Sequence, residues 1–328
     1  MSTKVAFFSA KKYDIEFFNR ANEKYKYDIK YFESKLNEKT AILSKGFNVV
    51  CAFVNDDINV DVIKILKNNN VKLIALRSSG FNHVDIKAAK KYGIKVVHVP
   101  AYSPYSVAEH TIGLILSLNR KIHKSYLRIK ENNFSLDGLL GFDLHGKTVG
   151  LIGTGKIGRI VANILKGFGM KILGYDKFPS NEFVGEYTDL KDLFRRSDII
   201  SLHCPLNKDT YHIINEKNIN LMKNGVMIIN TSRGGLIDTK AVITGLKTRK
   251  IGYLGLDVYE EEENIFFEDL SEEFIDDDVF IRLTTFPNVL ITGHQGFFTK
   301  EALINIAETT LENIYNFENN ILKKNIVV

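Results

Sequence analysis

The segment Lys147 to Phe178, KTVGLIGTGKIGRIVANILKGFGMKILGYDKF, limits the folds open to this chain more than any other. Val149 to Ile152 form a short apolar run. Ile157, Ile160, Val161, Ile164, Leu165 and Phe168 then recur at helical spacing, and Lys171 to Tyr175 is a second apolar strand ending at Asp176. Gly153, Gly155 and Gly158 lie between the first strand and the helix, in the order G-x-G-x-x-G. The first glycine permits a sharp turn, the second lets a pyrophosphate approach the backbone, and the third lets helix and strand pack closely. The helix start, with Thr154, Lys156 and Ile157 around it, turns unpaired N–H groups toward the phosphates. Asp176 follows Gly158 by 18 residues, where a carboxylate accepts hydrogen bonds from a ribose diol. The expected cofactor is therefore NAD, because a carboxylate there repels a 2′-phosphate; Lys177 beside it softens that preference.

The rest of the chain supplies the frame. With 328 residues it has room for two ordinary domains. An excess of 44 basic over 39 acidic residues gives +5, and the lysines are scattered. That describes a solvated surface rather than a nucleic-acid face, so no nucleic-acid partner is expected. Cys51 and Cys204 sit far apart in apolar surroundings and are expected as reduced core thiols. The apolar run near the N-terminus is too short for a signal peptide and no stretch approaches a membrane span, so a cytoplasmic location off the membrane is expected.

Residues 1–100 alternate strands and helices. The expected strands are Lys4 to Phe8, Asn48 to Val54, Val71 to Leu76 and Ile94 to Val99. The expected helices are Ile15 to Asn22, Val60 to Lys67 and Asp85 to Tyr92, the last ended by Gly93. This is the pattern of a parallel sheet with helices on its faces. It has no glycine motif of its own and is expected to serve the substrate. From Ser106 a single long helical segment is expected, apolar nearly all round and buried, with a subunit contact as one outlet. His110 and His123 lie on it; a separation of thirteen is not metal spacing, so packing or surface roles are expected and no metal site. Beyond the glycine motif, a helix is expected at Leu190 to Ser197 and strands at Asp198 to Leu202, Val226 to Asn230, Tyr253 to Leu256 and Val289 to Thr292. The strands stop at His203-Cys204-Pro205, at Thr231-Ser232-Arg233, at Asp257 and at Gly293-His294. Ligands of open α/β sheets sit at carboxyl strand ends, so Arg233, Asp257 and His294 are expected on one crevice. The final helix, Lys300 to Asn320, is expected to return to the first domain.

GTGKIG, HCPL, NTSRGGLID, LDVYEEE and GHQGF together resemble the D-isomer-specific 2-hydroxyacid dehydrogenases along the whole chain. FVNDD, ALRSSGFNHVD, VPAYSP and PNVLITGHQGFFT resemble the fermentative D-lactate dehydrogenase branch of that family. The resemblance implies an α/β protein with two Rossmann-like doubly wound parallel-sheet domains and an interdomain active-site cleft. One domain would be discontinuous, 1–100 with 299–328, for the substrate; the other, 101–298, would bind NAD. It implies reversible NADH-dependent reduction of pyruvate to D-lactate. The same fold admits a reductase of glyoxylate, hydroxypyruvate or a branched keto acid, and a non-catalytic NAD(H) sensor. A sensor need not keep a proton donor, so intact Arg233, Glu262 and His294 favour an enzyme. A homo-oligomer, dimer or tetramer, is expected from the long apolar helix.

Reduction of a 2-keto acid needs a cation for the carboxylate, a proton for the developing alkoxide and a hydride, which the cofactor brings. Arg233 is the expected cation, since a guanidinium binds a carboxylate through two parallel hydrogen bonds. His294 is the expected acid, because imidazole gives and takes protons near neutrality. The resemblance selects Glu262 as its partner, five residues after Asp257, out of the run Glu260 to Glu263. Glu263 stands where many members have proline. By the same resemblance Asp257 serves the nicotinamide, and His203, Cys204, Pro205 and Thr231 line the cofactor. Ser79 and Gly80 offer backbone N–H groups to the substrate carboxylate, and Tyr102 and Phe297 wall the pocket. A large ring at Phe297 suits a methyl group, with discrimination of only ~1–3 kcal/mol per methylene.

Overall fold

The computed structural model describes residues 3–262 and 265–328. Two compact units form, one of Met1–Ser103 with Phe297–Val328 and one of Pro104–Gly296. The divisions fall at Ser103/Pro104, where a helix opens, rather than at 100/101, and at Gly296/Phe297 rather than at 298/299.

In the first unit the elements run β1 (Lys4–Phe7), α1 (Lys12–Asn22), β2 (Asp28–Tyr31), β3 (Val49–Ala52), α2 (Val60–Asn68), β4 (Leu73–Leu76), α3 (Ile86–Tyr92) and β5 (Lys95–Val97). All strand pairs are parallel, in the order β2-β1-β3-β4-β5. Every residue of β3 and β4 is buried, which is why these strands are unbroken apolar runs: helices cover both faces. Asn59 starts α2 by accepting the N–H groups of Asp61 and Val62. Gly93 ends α3 at φ +68°, a conformation glycine adopts without strain. The strand β2 was not anticipated; its half-exposed edge alternates instead of showing an apolar run.

The second unit opens with two helices, α4 (Pro104–Arg120) and α5 (Ile122–Lys130), where one was expected. Lys121 breaks them at φ +50°. Its ammonium donates to the Leu140 carbonyl, and that of Lys124 to the Pro287 carbonyl, so the break is held from outside the helix. The expectation of burial holds for α4, which buries Val107, Ala108, Ile112, Leu114, Ile115 and Leu118; α5 buries nothing. There follow β6 (Thr148–Ile152), α6 (Lys156–Gly167), β7 (Lys171–Tyr175), β8 (Glu186–Tyr187), α7 (Leu190–Arg196), β9 (Ile199–Leu202), α8 (Glu216–Leu221), β10 (Val226–Asn230), α9 (Thr239–Lys247), β11 (Ile251–Leu256), α10 (Asp278–Thr284) and β12 (Val289–Ile291). The last helix, α11 (Lys300–Glu318), belongs to the first unit. The second sheet is parallel, in the order β12-β11-β10-β9-β6-β7-β8.

Both sheets are doubly wound, and in the second the strand order reverses beside β6, between β7 and β9. The crevice expected to take a ligand in such a sheet thus lies where the glycine turn leaves β6. Among the described residues no helix is long and apolar enough to cross a membrane.

Candidate active site

The three glycines have three different surroundings. Gly153 takes φ +96°, and a Cβ there would lie 2.5 Å from the His203 carbonyl carbon. At Gly158 a Cβ would meet the Gly153 carbonyl oxygen at 2.1 Å, so strand and helix approach as only glycine allows. At Gly155 nothing lies within 4 Å of the same position. Gly155 is also the N-cap of α6 and offers no side chain to the helix, so the first N–H groups stay open for an anion. Asp176, at the end of β7, accepts the Thr154 N–H at 2.6 Å on one oxygen and the Phe178 N–H at 2.9 Å on the other. The carboxylate is thereby fixed against the glycine turn. These residues fit a dinucleotide.

His203 and Cys204 back that turn. The His203 N–H donates to Ile152 at 2.7 Å, and its Nε2 is 2.9 Å from Ser201 Oγ. Burial holds the His203 imidazole down to about 4, so it is neutral. Burial likewise pushes the thiol of Cys204 up to about 11 and that of Cys51 up to about 12; both cysteines are free and buried. Ser232 Oγ donates to the Cys204 carbonyl at 2.8 Å, tying the loop after β9 to the one after β10. Thr231 meets Thr111 of α4 through their hydroxyls at 2.8 Å. Arg233 is half-buried in this second loop, which Asn230 shapes by accepting the Ser232 N–H and donating to the Arg233 carbonyl. One Nη of Arg233 donates to the Ser232 carbonyl at 2.7 Å; among the described residues the guanidinium has no carboxylate partner.

His294 follows β12 at φ +53°, a strained value for a residue with a side chain. Its Nδ1 lies 2.8 Å from Glu262 Oε1, while Glu262 Oε2 accepts the Tyr259 N–H at 2.8 Å. The adjacent Glu260 faces elsewhere. It pairs with His212 Nε2 at 2.5 Å and accepts the Thr239 hydroxyl at 3.0 Å. Glu261 is exposed. Glu263, the departure from proline, lies outside the described residues.

Asp257, at the end of β11, is 1% exposed. It accepts the Thr292 hydroxyl at 2.6 Å and the N–H groups of Gln295 and Gly296 at 2.9 and 2.7 Å. Burial alone would raise its carboxyl, but hydrogen bonds from His110 and Thr292 bring it below the ordinary carboxylate value. His110 was expected only to pack or face solvent. Instead its Nε2 stands 3.0 Å from Thr292 Oγ1 and 3.1 Å from Asp257 Oδ1. Arg233, Asp257 and His294 thus sit at the carboxyl ends of β10, β11 and β12, and side-chain contact joins His294 to Glu262.

In the first unit, Phe297 is 8% exposed, with its ring 6.0 Å from Phe53 and 6.3 Å from Tyr102. Ser79 and Gly80 form the turn after β4; Ser79 Oγ donates to the Pro100 carbonyl, and the Ser79 carbonyl lies 2.8 Å from His98 Nδ1. Among the described residues no group of three or more His, Cys, Asp or Glu is placed to hold a metal.

A phosphate-accepting glycine turn, a carboxylate fixed at the next strand end and a histidine–glutamate pair on the same sheet edge define a dinucleotide-dependent oxidoreductase. Residues 112–296 match the model of the D-isomer specific 2-hydroxyacid dehydrogenase, NAD binding domain. The chain is 54% identical to a D-lactate dehydrogenase of Escherichia coli (strain K12) over 96% of this chain and 97% of that one. Its fold matches the apo-structure of D-lactate dehydrogenase from Escherichia coli with a TM-score of 0.91, 50% identity and coverage of 99% of this chain and 100% of that one. A D-lactate dehydrogenase from Aquifex aeolicus, complexed with NAD and lactic acid, matches with a TM-score of 0.87 at 37% identity over 99% of each chain. This chain belongs to the D-isomer-specific 2-hydroxyacid dehydrogenases, and its cofactor is NAD.

Proposed function

We propose that this enzyme reduces pyruvate to D-lactate with NADH, reversibly, and that Arg233, Glu262 and His294 carry the reaction. The observation that supports this most is the His294–Glu262 contact of 2.8 Å on the sheet edge that also bears the Arg233 guanidinium, which has no carboxylate partner among the described residues. Likeness over nearly the whole chain to a D-lactate dehydrogenase supports the choice of substrate. Residues 104–296 bind the cofactor, and residues 1–103 with 297–328 serve the substrate.

The bound nicotinamide supplies the hydride. Arg233 holds the substrate carboxylate through its two-pronged donor edge and so orients the carbonyl. In the first unit, the Ser79 and Gly80 amides have no acceptor among the described residues and are open donors for an anion. His294 Nε2, opposite the nitrogen fixed by Glu262, gives its proton to the carbonyl oxygen as the alkoxide forms and takes it back in the reverse direction. Glu262 fixes the ring orientation through its 2.8 Å contact with Nδ1, as the third member of a triad does. Phe297 and Tyr102 close the space around a methyl group. Asp257 holds the loop of His294 and would be among the residues that hold a nicotinamide.

The test is oxidation of NADH with pyruvate, glyoxylate and hydroxypyruvate in parallel, followed by chiral analysis of the lactate. Preference for pyruvate and a D product are expected; L-lactate, or faster turnover of another keto acid, would overturn the assignment.

We also propose a homo-oligomer. Phe134, Leu136 and Leu140 are 72%, 82% and 85% exposed in the segment that follows α5, whose Ile122, Tyr126, Leu127 and Ile129 are exposed as well; large exposed apolar side chains of this kind suit a subunit contact. Sedimentation should show a dimer or tetramer, and Leu136→Asp should shift it toward monomer; a monomeric parent protein would end this reading. The two buried free thiols suit a reducing cytoplasm, which fractionation of cells would test.

A further inference from the structure

We propose that His110 is a positioning residue for this site: with Ser106, one turn earlier on α4, it clamps both ends of the segment that carries His294. The proposal rests on the role given to His294 above. Residues four apart on a helix share a face. From that face Ser106 Oγ donates to the Gly296 carbonyl at 2.5 Å, and His110 reaches Thr292 and Asp257 at 3.0 and 3.1 Å. The segment from Thr292 to Gly296 is thus held at each end by one helix.

The direction of these bonds follows from donor accounting. Thr292 Oγ1 donates to Asp257 Oδ1 at 2.6 Å, so its single hydrogen is spent. The nitrogen that faces both oxygens must carry the proton, and His110 Nε2–H is shared between the hydroxyl and the carboxylate. Asp257 in turn receives the N–H groups of Gln295 and Gly296, the two residues after His294. His110 therefore acts on His294 through Asp257 and the backbone, not by touching the reacting atoms.

Two features show that the clamp is needed. His294 sits at φ +53°, a conformation that a side chain disfavours and that its surroundings must enforce. At Gly296 a Cβ would lie 2.9 Å from Asp257 Oδ2 and 3.6 Å from His110 Cδ2, so the backbone is drawn tightly against both. The helix is a firm platform, since Val107, Ala108 and Thr111 between and beside the two clamping residues are buried.

The test compares His110→Ala with His110→Gln, whose amide can donate where Nε2 did. Two readouts are used: steady-state pyruvate reduction at saturating NADH, and hydrogen exchange of the amides from 292 to 296. The Ala variant should lose about ten- to a hundredfold in kcat, with the KM for pyruvate within threefold, and should speed exchange at 295 and 296 at least tenfold. Gln should recover most of both. Unchanged exchange in the Ala variant, or Gln no better than Ala in either readout, overturns the clamp. If the parent enzyme does not turn over pyruvate, the functional reading fails and exchange alone decides the clamp.

Discussion

Gly155 and Gly158 stand three residues apart in one motif, yet the structure requires their alanine variants to fail in different ways. At Gly155 the backbone has φ −66° and ψ −163°, open to any residue, and nothing lies within 4 Å of a Cβ. Alanine narrows the unfolded ensemble, worth about 0.4–1 kcal/mol. It is also a poorer N-cap than glycine by a similar amount. The two nearly cancel, so Tm should move by less than about 2 °C. The methyl would stand where the pyrophosphate meets the open N–H groups of α6. Losing one or two charge-assisted hydrogen bonds costs about 1.5–3 kcal/mol, so NADH should bind about ten- to a hundredfold more weakly. At Gly158 the Cβ would sit 2.1 Å from a backbone oxygen, and β6 and α6 must move apart. Overpacking of that kind costs about 1–3 kcal/mol, which lowers Tm by roughly 3–10 °C for a unit of this size, and NADH binding falls with it. Fluorescence titration of NADH and thermal melts on both variants provide the comparison. A Gly155→Ala protein that binds NADH within twofold of the parent would refute the idea that the pyrophosphate lies on this backbone. One that melts as low as Gly158→Ala would refute the packing argument.

The other expectations are briefer. Glu262→Gln should lower kcat/KM by about tenfold or more, because His294 loses its anionic partner, whereas Glu260→Gln should keep kcat/KM within about twofold and lose about 1 kcal/mol of stability from the His212 and Thr239 contacts. Kinetics and melts on the pair decide, and equal kinetic losses would dissolve the distinction. Arg233→Lys should lose on the order of a hundredfold in kcat/KM, since a point charge cannot copy two parallel bonds; near-parental turnover would remove Arg233 from its role. His203 is held at about 4 when folded against 6.5 when unfolded, so between these values the unfolded chain binds more protons. Its contribution is full above pH 6.5 and is lost as the pH falls toward 4, by up to about 3 kcal/mol. Urea midpoints of His203→Asn should fall less between pH 7 and pH 5 than those of the parent; an equal fall would assign the acid sensitivity to other groups.

Much of the site was legible because it is local. A glycine motif, the helix after it and the acidic residue on the next strand are consecutive, and their spacing alone implies a bound dinucleotide. Strand ends were legible too, since buried parallel strands are apolar runs that give way to a polar residue, as at Asn230, Asp257 and Thr292. Short or half-exposed elements such as β2, β8, α8, α9 and α10 carry no such run and were not anticipated.

Where side chains point across long separations was not legible from spacing. In the run of four glutamates charge and spacing are nearly equivalent, and only the turn after β11 sends Glu262 to His294 and Glu260 to His212. Apolar periodicity runs through Lys121, so the break there, beside which the Lys121 and Lys124 ammonium groups donate to the Leu140 and Pro287 carbonyls, was not legible in it. His110 is 182 residues from Thr292, and nothing in the helix announces that its ring will meet the loop of His294. The chain by itself determined what binds and which edge of the sheet binds it, because both are set by neighbouring residues. Tertiary structure decided which carboxylate and which histidines act together, because that depends on contacts that only the completed sheet creates.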